Sequence, residues 1–264
     1  MRVMFSWLAA QYTELLAATR FLSVVSLPGL PQRFDTADNS SPLKLGSAYF
    51  PLVGLLLALL LYLLQRVCEW LCFPTLALAA LLVVALVILT GGLHLDGLMD
   101  SCDGLLGGRT TERRLEIMRD SRVGSFGVLG GICVLLLKFA LLASINSRLL
   151  TLALFIILPC TRWAMVLALR LFPSARPTGL GATFRRSVTT PRLVFAGTVS
   201  LLAALLAGHL VGGLLWLVAM LVAALLGLWI TRLIGGLTGD SYGAIAEITE
   251  VVLLVLLVAM RGFL

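Results

Sequence analysis

Long apolar runs separated by short polar segments dominate this chain, and their lengths predict membrane-spanning helices rather than strands. Runs near 6–27, 46–65, 74–92, 124–145, 149–171, 193–210, 212–233 and 243–260 approach or exceed the roughly 20 residues that cross a hydrocarbon layer. Glu14 and Arg20 interrupt the first run, which leaves it between a span and a helix lying in the interface. No loop between the runs has the length or polarity of a soluble insert. The pattern predicts an all-α fold, a polytopic transmembrane helix bundle of about seven or eight spans, with residues 1–264 as a single integral-membrane domain. No A-x-A-type cleavage site follows the first run, so a secretory leader is not expected.

Composition strengthens this reading. The chain is 60% hydrophobic and 12% charged, with mean hydropathy +1.05, where soluble domains average about 45–50% and about 25%. The net charge of +7 follows topology and is not a nucleic-acid signature. With eight spans, Arg33, Lys44, Arg109, Arg113, Arg114, Arg119, Arg122, Arg170, Arg176, Arg185, Arg186, Arg192 and Arg232 fall on one side. Arg2, Arg66, Arg148 and Arg261 fall on the other, so the first side is expected to be cytoplasmic. Every acid except Glu14 and Glu69, including Asp35 and Asp38, lies in or beside that same side. A pump with a mid-membrane relay would scatter its acids through the spans. The five cysteines have no zinc or redox spacing and read as packing residues.

The candidate chemistry begins in Gly91–Gly104, at the end of an apolar run. Asp96, Asp100 and Asp103 share one face of a helix there. Three carboxylates on one face repel each other, and near lipid their ionisation is costly. A divalent cation resolves that conflict, and hard oxygens at this density suit Mg²⁺ or Mn²⁺ together with phosphate. His94 is open between a satisfied structural imidazole and a general base, metal ligand or phosphate donor.

Four further segments carry ionisable groups. Thr111–Asp120 reads as a short amphipathic helix, after which Asp120 and Arg122 stand where the chain re-enters the membrane. Asp240, Glu247 and Glu250 form a second acidic stripe beside Gly243. It is favoured as functional, against pairing with an intramembrane base such as Lys138 or Arg162. Arg170–Arg186, with its prolines, glycines and arginines, suits an anionic ligand, since guanidinium matches phosphate oxygens two at a time; Arg176 is its strongest candidate. Arg162 sits in an apolar span and needs an acid or a phosphate as partner.

Taken together, these segments resemble the integral-membrane cobalamin-5′-phosphate synthase (adenosylcobinamide-GDP ribazoletransferase) family. The resemblance is carried by Thr90–Leu105 and Arg113–Gly124, and extends to Tyr49–Gly54, Arg162–Met165 and Gly239–Ala244. Met99 and Ser101-Cys102 depart from the smaller residues expected of the family. The resemblance implies a Mg²⁺-dependent transferase of cobalamin biosynthesis. It would join adenosylcobinamide-GDP to α-ribazole or its 5′-phosphate, releasing GMP by in-line displacement at the pyrophosphate.

On that reading His94, Asp96, Asp100 and Asp103 are the catalytic set. Asp120, Arg122, Arg162, Arg176, Asp240 and Glu247 bind substrate, and Asp96, Asp100, Asp103 and Asp120 hold the metal. The expected partners are the two substrates and the lipid bilayer, without nucleic acid, and a homo-oligomer stays open. The expected location is the bacterial inner membrane, with the site facing the cytoplasm. Asp100-x-x-Asp103-Gly104 also resembles part of the CDP-alcohol phosphotransferase motif, but the acids that should follow are out of register. A CDP-alcohol or prenyl-diphosphate transferase is therefore the rival enzyme. An ion-coupled transporter using Glu247, Glu250, Lys138 and Arg162 is the rival of another class.

Overall fold

In a computed structural model, which describes residues 2–25 and 46–263, the protein is an all-α polytopic bundle. Arg33, Asp35, Asp38 and Lys44 lie outside the described residues. The helices are α1 (Arg2–Leu22), α2 (Phe50–Trp70), α3 (Thr75–Leu89), α4 (Leu93–Gly107) and α5 (Thr111–Ile117). They continue with α6 (Ser125–Ala143), α7 (Ser147–Leu171), α8 (Leu180–Ser187), α9 (Thr190–Ile234) and α10 (Gly239–Ala259). At the centre is α7, packed against α2, α9 and α10, with 83% of its most apolar window buried. By contrast α6 buries only 22% and presents Leu129, Ile132 and Leu136 outward, as a lipid-facing helix must.

Among the described residues, five helices are long and apolar enough to cross a membrane, or up to six if the bent α3–α4 pair is one span. One of the five, α9, breaks at His209 (φ 47°, ψ −128°) into two arms that fold back on each other, Gly212 meeting Ala204. Buried Ala196, Gly197, Ser200, Ala204 and Gly208 on the first arm, with Gly212, Ala219, Ala223 and Gly227 on the second, permit close approach. Across the hairpin the Trp216 indole donates to Ser200 Oγ at 2.8 Å and stacks on Trp163 of α7, centroids 5.9 Å apart. The expected spans 193–210 and 212–233 are the arms of this hairpin.

The first expected span, 6–27, is corrected. Helix α1 is not among those apolar enough to cross, and four of its contacts stand at one end of the bundle. Gln11 bonds Tyr49, Glu14 pairs with Arg192 at 2.6 Å, Phe21 meets Phe50, and Val24 N–H donates to Leu89 O at 2.8 Å. These are the starts of α2 and α9 and the end of α3. The helix therefore packs at that end, where Arg192 answers the buried Glu14 carboxylate.

Helix α4 is also laid across this end. Gly91 and Gly92, at φ 61° and 71°, close α3 in the left-handed conformation that glycine adopts without strain. The chain then turns 86° into α4, which crosses the first turns of α10 and α6. A Cβ on Gly97 would stand 2.8 Å from the Asp240 carbonyl oxygen, and one on Gly243 would stand 2.9 Å from that of His94. Backbone cannot yield as a flexible side chain can. Gly97→Val should therefore destabilise the detergent-solubilised protein by about 1–3 kcal/mol, read as a lowered midpoint of thermal unfolding. Gly107→Ala, where the nearest atom is at 3.7 Å, should leave the midpoint unchanged.

Candidate active site

The α4–α10 crossing builds the acidic part of the site. Asp96 is exposed, Asp100 half-buried and Asp103 buried on the face α4 turns to its neighbours. Thr238 and Ser241 form a reciprocal capping box that starts α10, and Thr238 Oγ1 also donates to Asp240 Oδ2 at 3.2 Å. Asp240 is thereby held beside α4. Asp96, Asp240 and Asp103 all lie within electrostatic range of Asp100, and Asp96 and Arg176 within range of Asp240.

The other predicted metal ligands are engaged elsewhere. Asp103 accepts the backbone N–H groups of Gly124 at 2.7 Å and Gly127 at 2.8 Å, one on each oxygen, at the start of α6. Those donors have no partner within the helix, so the carboxylate caps it from another element. Asp120 chelates Arg122 through the guanidinium at 2.6 Å and the backbone N–H at 3.0 Å. These bonds pull its carboxyl down to about 2, and the charges acting on it are Arg122 and Arg113. Among the described residues, no group of three or more His, Cys, Asp or Glu side chains is arranged to hold a metal ion.

Deeper in the bundle, Lys138 Nζ stands 2.7 Å from Glu247 and 3.1 Å from Glu250, and Arg162 stands 3.9 Å from Glu250. All four side chains are buried. Two bases and two acids from α6, α7 and α10 thus form a neutral cluster, the arrangement that low dielectric demands. Glu247 and Arg162 are bound into it, apart from Asp240 and Arg176. The groups that suggested an ion-coupled transporter are here paired with one another.

Two hollows flank α8. One, of about 170 Å³, has an aromatic wall of Phe21, Phe50 and Phe184, with His94, Tyr242, Asp96 and Asp240 also on its lining. His94 Nε2 and Tyr242 Oη are buried and have no hydrogen-bond partner. The other, of about 250 Å³, is more open and lined by Arg176, Arg185 and Arg186 between Pro173 and Pro177. Burial lowers the Arg176 guanidinium from its usual range, as does Arg119, while Asp240 opposes them. Arg176 therefore stands between the basic hollow and the carboxylates. Free carboxylates, arginines and a small apolar hollow together suit a phosphate ester bearing an apolar group.

Of the ten residues singled out from sequence, the structure gathers His94, Asp96, Asp100, Asp240 and Arg176 around these hollows, with Asp103 directly behind. It sets Asp120, Arg122, Arg162 and Glu247 apart in ion pairs. Phe21 and Phe184 were not picked out, and Phe50 and Tyr242 entered only within the resembling segments Tyr49–Gly54 and Gly239–Ala244, with no role given. Their one local signal is an aromatic residue in an otherwise small or polar segment, such as Tyr242 between Ser241 and Gly243.

Two stability predictions separate these roles. Asp103→Ala should cost about 1–2 kcal/mol by leaving the start of α6 uncapped, while Asp100→Ala should cost nothing, since it removes a repelled charge. Chemical denaturation in detergent distinguishes them. Lys138→Met should cost about 3–5 kcal/mol by leaving Glu247 without its partner and the buried cluster one negative charge in excess, seen as loss of folded protein after heating.

Residues 14–258 match the family described as cobalamin-5-phosphate synthase. An adenosylcobinamide-GDP ribazoletransferase of Roseiflexus sp. (strain RS-1) is 43% identical over 238 residues, covering 90% of this chain and 86% of the relative. Those of Desulfitobacterium hafniense (strain Y51) and Desulforamulus reducens are 40% and 41% identical, covering 91% and 93% of this chain and 94% and 97% of theirs. No solved structure matches the chain.

Proposed function

The chain belongs to the cobalamin-5-phosphate synthase family, and from that premise we propose that it is an adenosylcobinamide-GDP ribazoletransferase. It joins adenosylcobinamide-GDP to α-ribazole or α-ribazole 5′-phosphate, releases GMP, and so assembles the nucleotide loop of cobalamin. The observation that carries this reading is the α4–α10 crossing. It sets Asp240 close to Asp96 and Asp100, with Asp96 and Asp240 on the lining of the small aromatic hollow and Arg176 linking them to the three-arginine hollow.

Arg176, with Arg185 and Arg186, binds the diphosphate and neutralises charge growing on the departing GMP. The acceptor hydroxyl attacks the phosphorus that carries the cobinamide. One P–O bond forms to the ribose as the P–O bond to GMP breaks. His94 Nε2, buried and unpartnered on the cavity lining, takes the hydroxyl proton. Asp103 holds α4 against α6 and so fixes where Asp100 stands.

The donor set fits Mg²⁺: hard carboxylate oxygens, and no closed protein cage. That ion is usually held by one or two carboxylates with substrate phosphates and water completing its shell. Asp100, with Asp96 or Asp240 as the second carboxylate, would hold it, in place of the Asp103 and Asp120 expected from sequence. Bound there, it would offset the charge of the diphosphate oxygens. The arginine-rich site end, with Arg109, Arg113, Arg114, Arg119 and Arg192, belongs on the cytoplasmic face of the bacterial inner membrane by the positive-inside rule. Both polar substrates arrive from that side.

Membranes carrying the protein should form corrinoid product and GMP from adenosylcobinamide-GDP, α-ribazole phosphate and Mg²⁺, and stop when the ion is chelated. Asp100→Asn should keep its level in the membrane and lose at least ~100-fold in turnover. Near-normal turnover by Asp100→Asn would overturn the carboxylate assignment. No product from the unaltered protein would overturn the activity.

A further inference from the structure

Resting on the proposed activity, we infer that the 170 Å³ aromatic hollow is the pocket for the base of the acceptor nucleoside, and so selects which base enters the product. Its occupant is a flat, mostly apolar, fused nitrogen heterocycle of the benzimidazole type.

Size makes the first selection. An apolar cavity of about 150 Å³ holds one benzene, so a hollow of about 170 Å³ takes a small flat ring system and excludes a corrinoid. The corrinoid must therefore remain outside, above the open, arginine-lined side of α8.

The wall makes the second. Phe184 of α8 lies 4.5 Å from Phe21 of α1 and 5.6 Å from Phe50 of α2, measured between ring centroids. Phe21 and Phe50 are 6.1 Å apart and nearly parallel, at 20°. Three elements distant in sequence deliver these rings to one place. Met165 and Leu169 of α7 line the same hollow, adding an adaptable thioether and a branched side chain. Such a surface suits a planar ring by stacking and apolar contact. Guanine, the other bicyclic base the reaction presents, would need the carboxylates of Asp96 and Asp240 for its donor-rich edge, and on this reading those serve the ribose and the diphosphate.

The polar atoms make the third. Tyr242 is 5% exposed, and its hydroxyl has no partner. Buried hydroxyls without partners are rare in folded proteins, and Tyr242 is also on the lining of the hollow, so its phenol is the donor we assign to the base. The unsubstituted ring nitrogen of a benzimidazole riboside is a matching acceptor. The pocket thus orients the base while its ribose points toward Asp96, Asp240 and His94, where the hydroxyl reacts.

The test uses the full-length protein in detergent and in membranes. Equilibrium binding of benzimidazole riboside and indole riboside, which lacks the acceptor nitrogen, is measured without the corrinoid substrate. Turnover is measured in parallel. Tyr242→Phe preserves volume and should shrink the benzimidazole-over-indole preference about tenfold, with the KM for adenosylcobinamide-GDP within twofold of normal. Phe184→Ala should weaken binding of both ribosides at least tenfold. An unchanged preference in Tyr242→Phe, or a raised KM for adenosylcobinamide-GDP with riboside binding intact, would overturn the inference, the latter by placing guanine in the hollow. If the unaltered protein binds ribosides with this preference but forms no product, the activity fails while the pocket stands.

Discussion

The backbone contact of α4 with α10 is the constraint on which the site depends. With Cβ positions at Gly97 and Gly243 under 3 Å from opposing carbonyl oxygens, only glycine lets the two helices touch. That contact sets Asp240 beside Asp96 and Asp100, and it exists because the Gly91-Gly92 turn lays α4 across the bundle instead of along it. Gly97 and Gly243 also line the aromatic hollow. With the Gly91-Gly92 turn they decide where Asp96, Asp100 and Asp240 stand.

Charge in this molecule divides into two populations by what satisfies it. Asp103 answers the helix start of α6, Asp120 answers Arg122, and Glu247 and Glu250 answer Lys138 and Arg162. Each stabilises because its partner is present, and burial makes each partner compulsory. Among the described residues, Asp96, Asp100 and Asp240 form no ion pair within 4 Å, Asp240 holding only the Thr238 hydroxyl, and they repel each other. An arrangement that costs stability in the bare protein is one that a cation and a diphosphate relieve, so the acids without partners are the ones that carry chemistry.

The bundle around them supplies the framework. A central α7, a tight α9 hairpin of small residues and an outward leucine surface hold the site end in place without polar contacts to lipid. The interfacial helix α1 and the short α8 then close that end, and each contributes one ring of the aromatic wall.

Apolar run length, the one-sided distribution of charge and the helical spacing of Asp96, Asp100 and Asp103 were legible in the chain. They specify an all-α membrane bundle with its ionisable chemistry at one end. These are local properties, because helical period and span length are set by residues a few positions apart. Long-range packing decided the rest. An apolar run with two charges reads alike as a span or as the interfacial helix that α1 is. Nothing near Asp103 announces Gly124 and Gly127, and nothing near Glu247 announces Lys138, 109 residues away. The aromatic hollow joins Phe21, Phe50 and Phe184 from three separate elements. Which acid is paired, which is free and what lines the cavity beside it are questions of partners, and only the tertiary structure chooses partners.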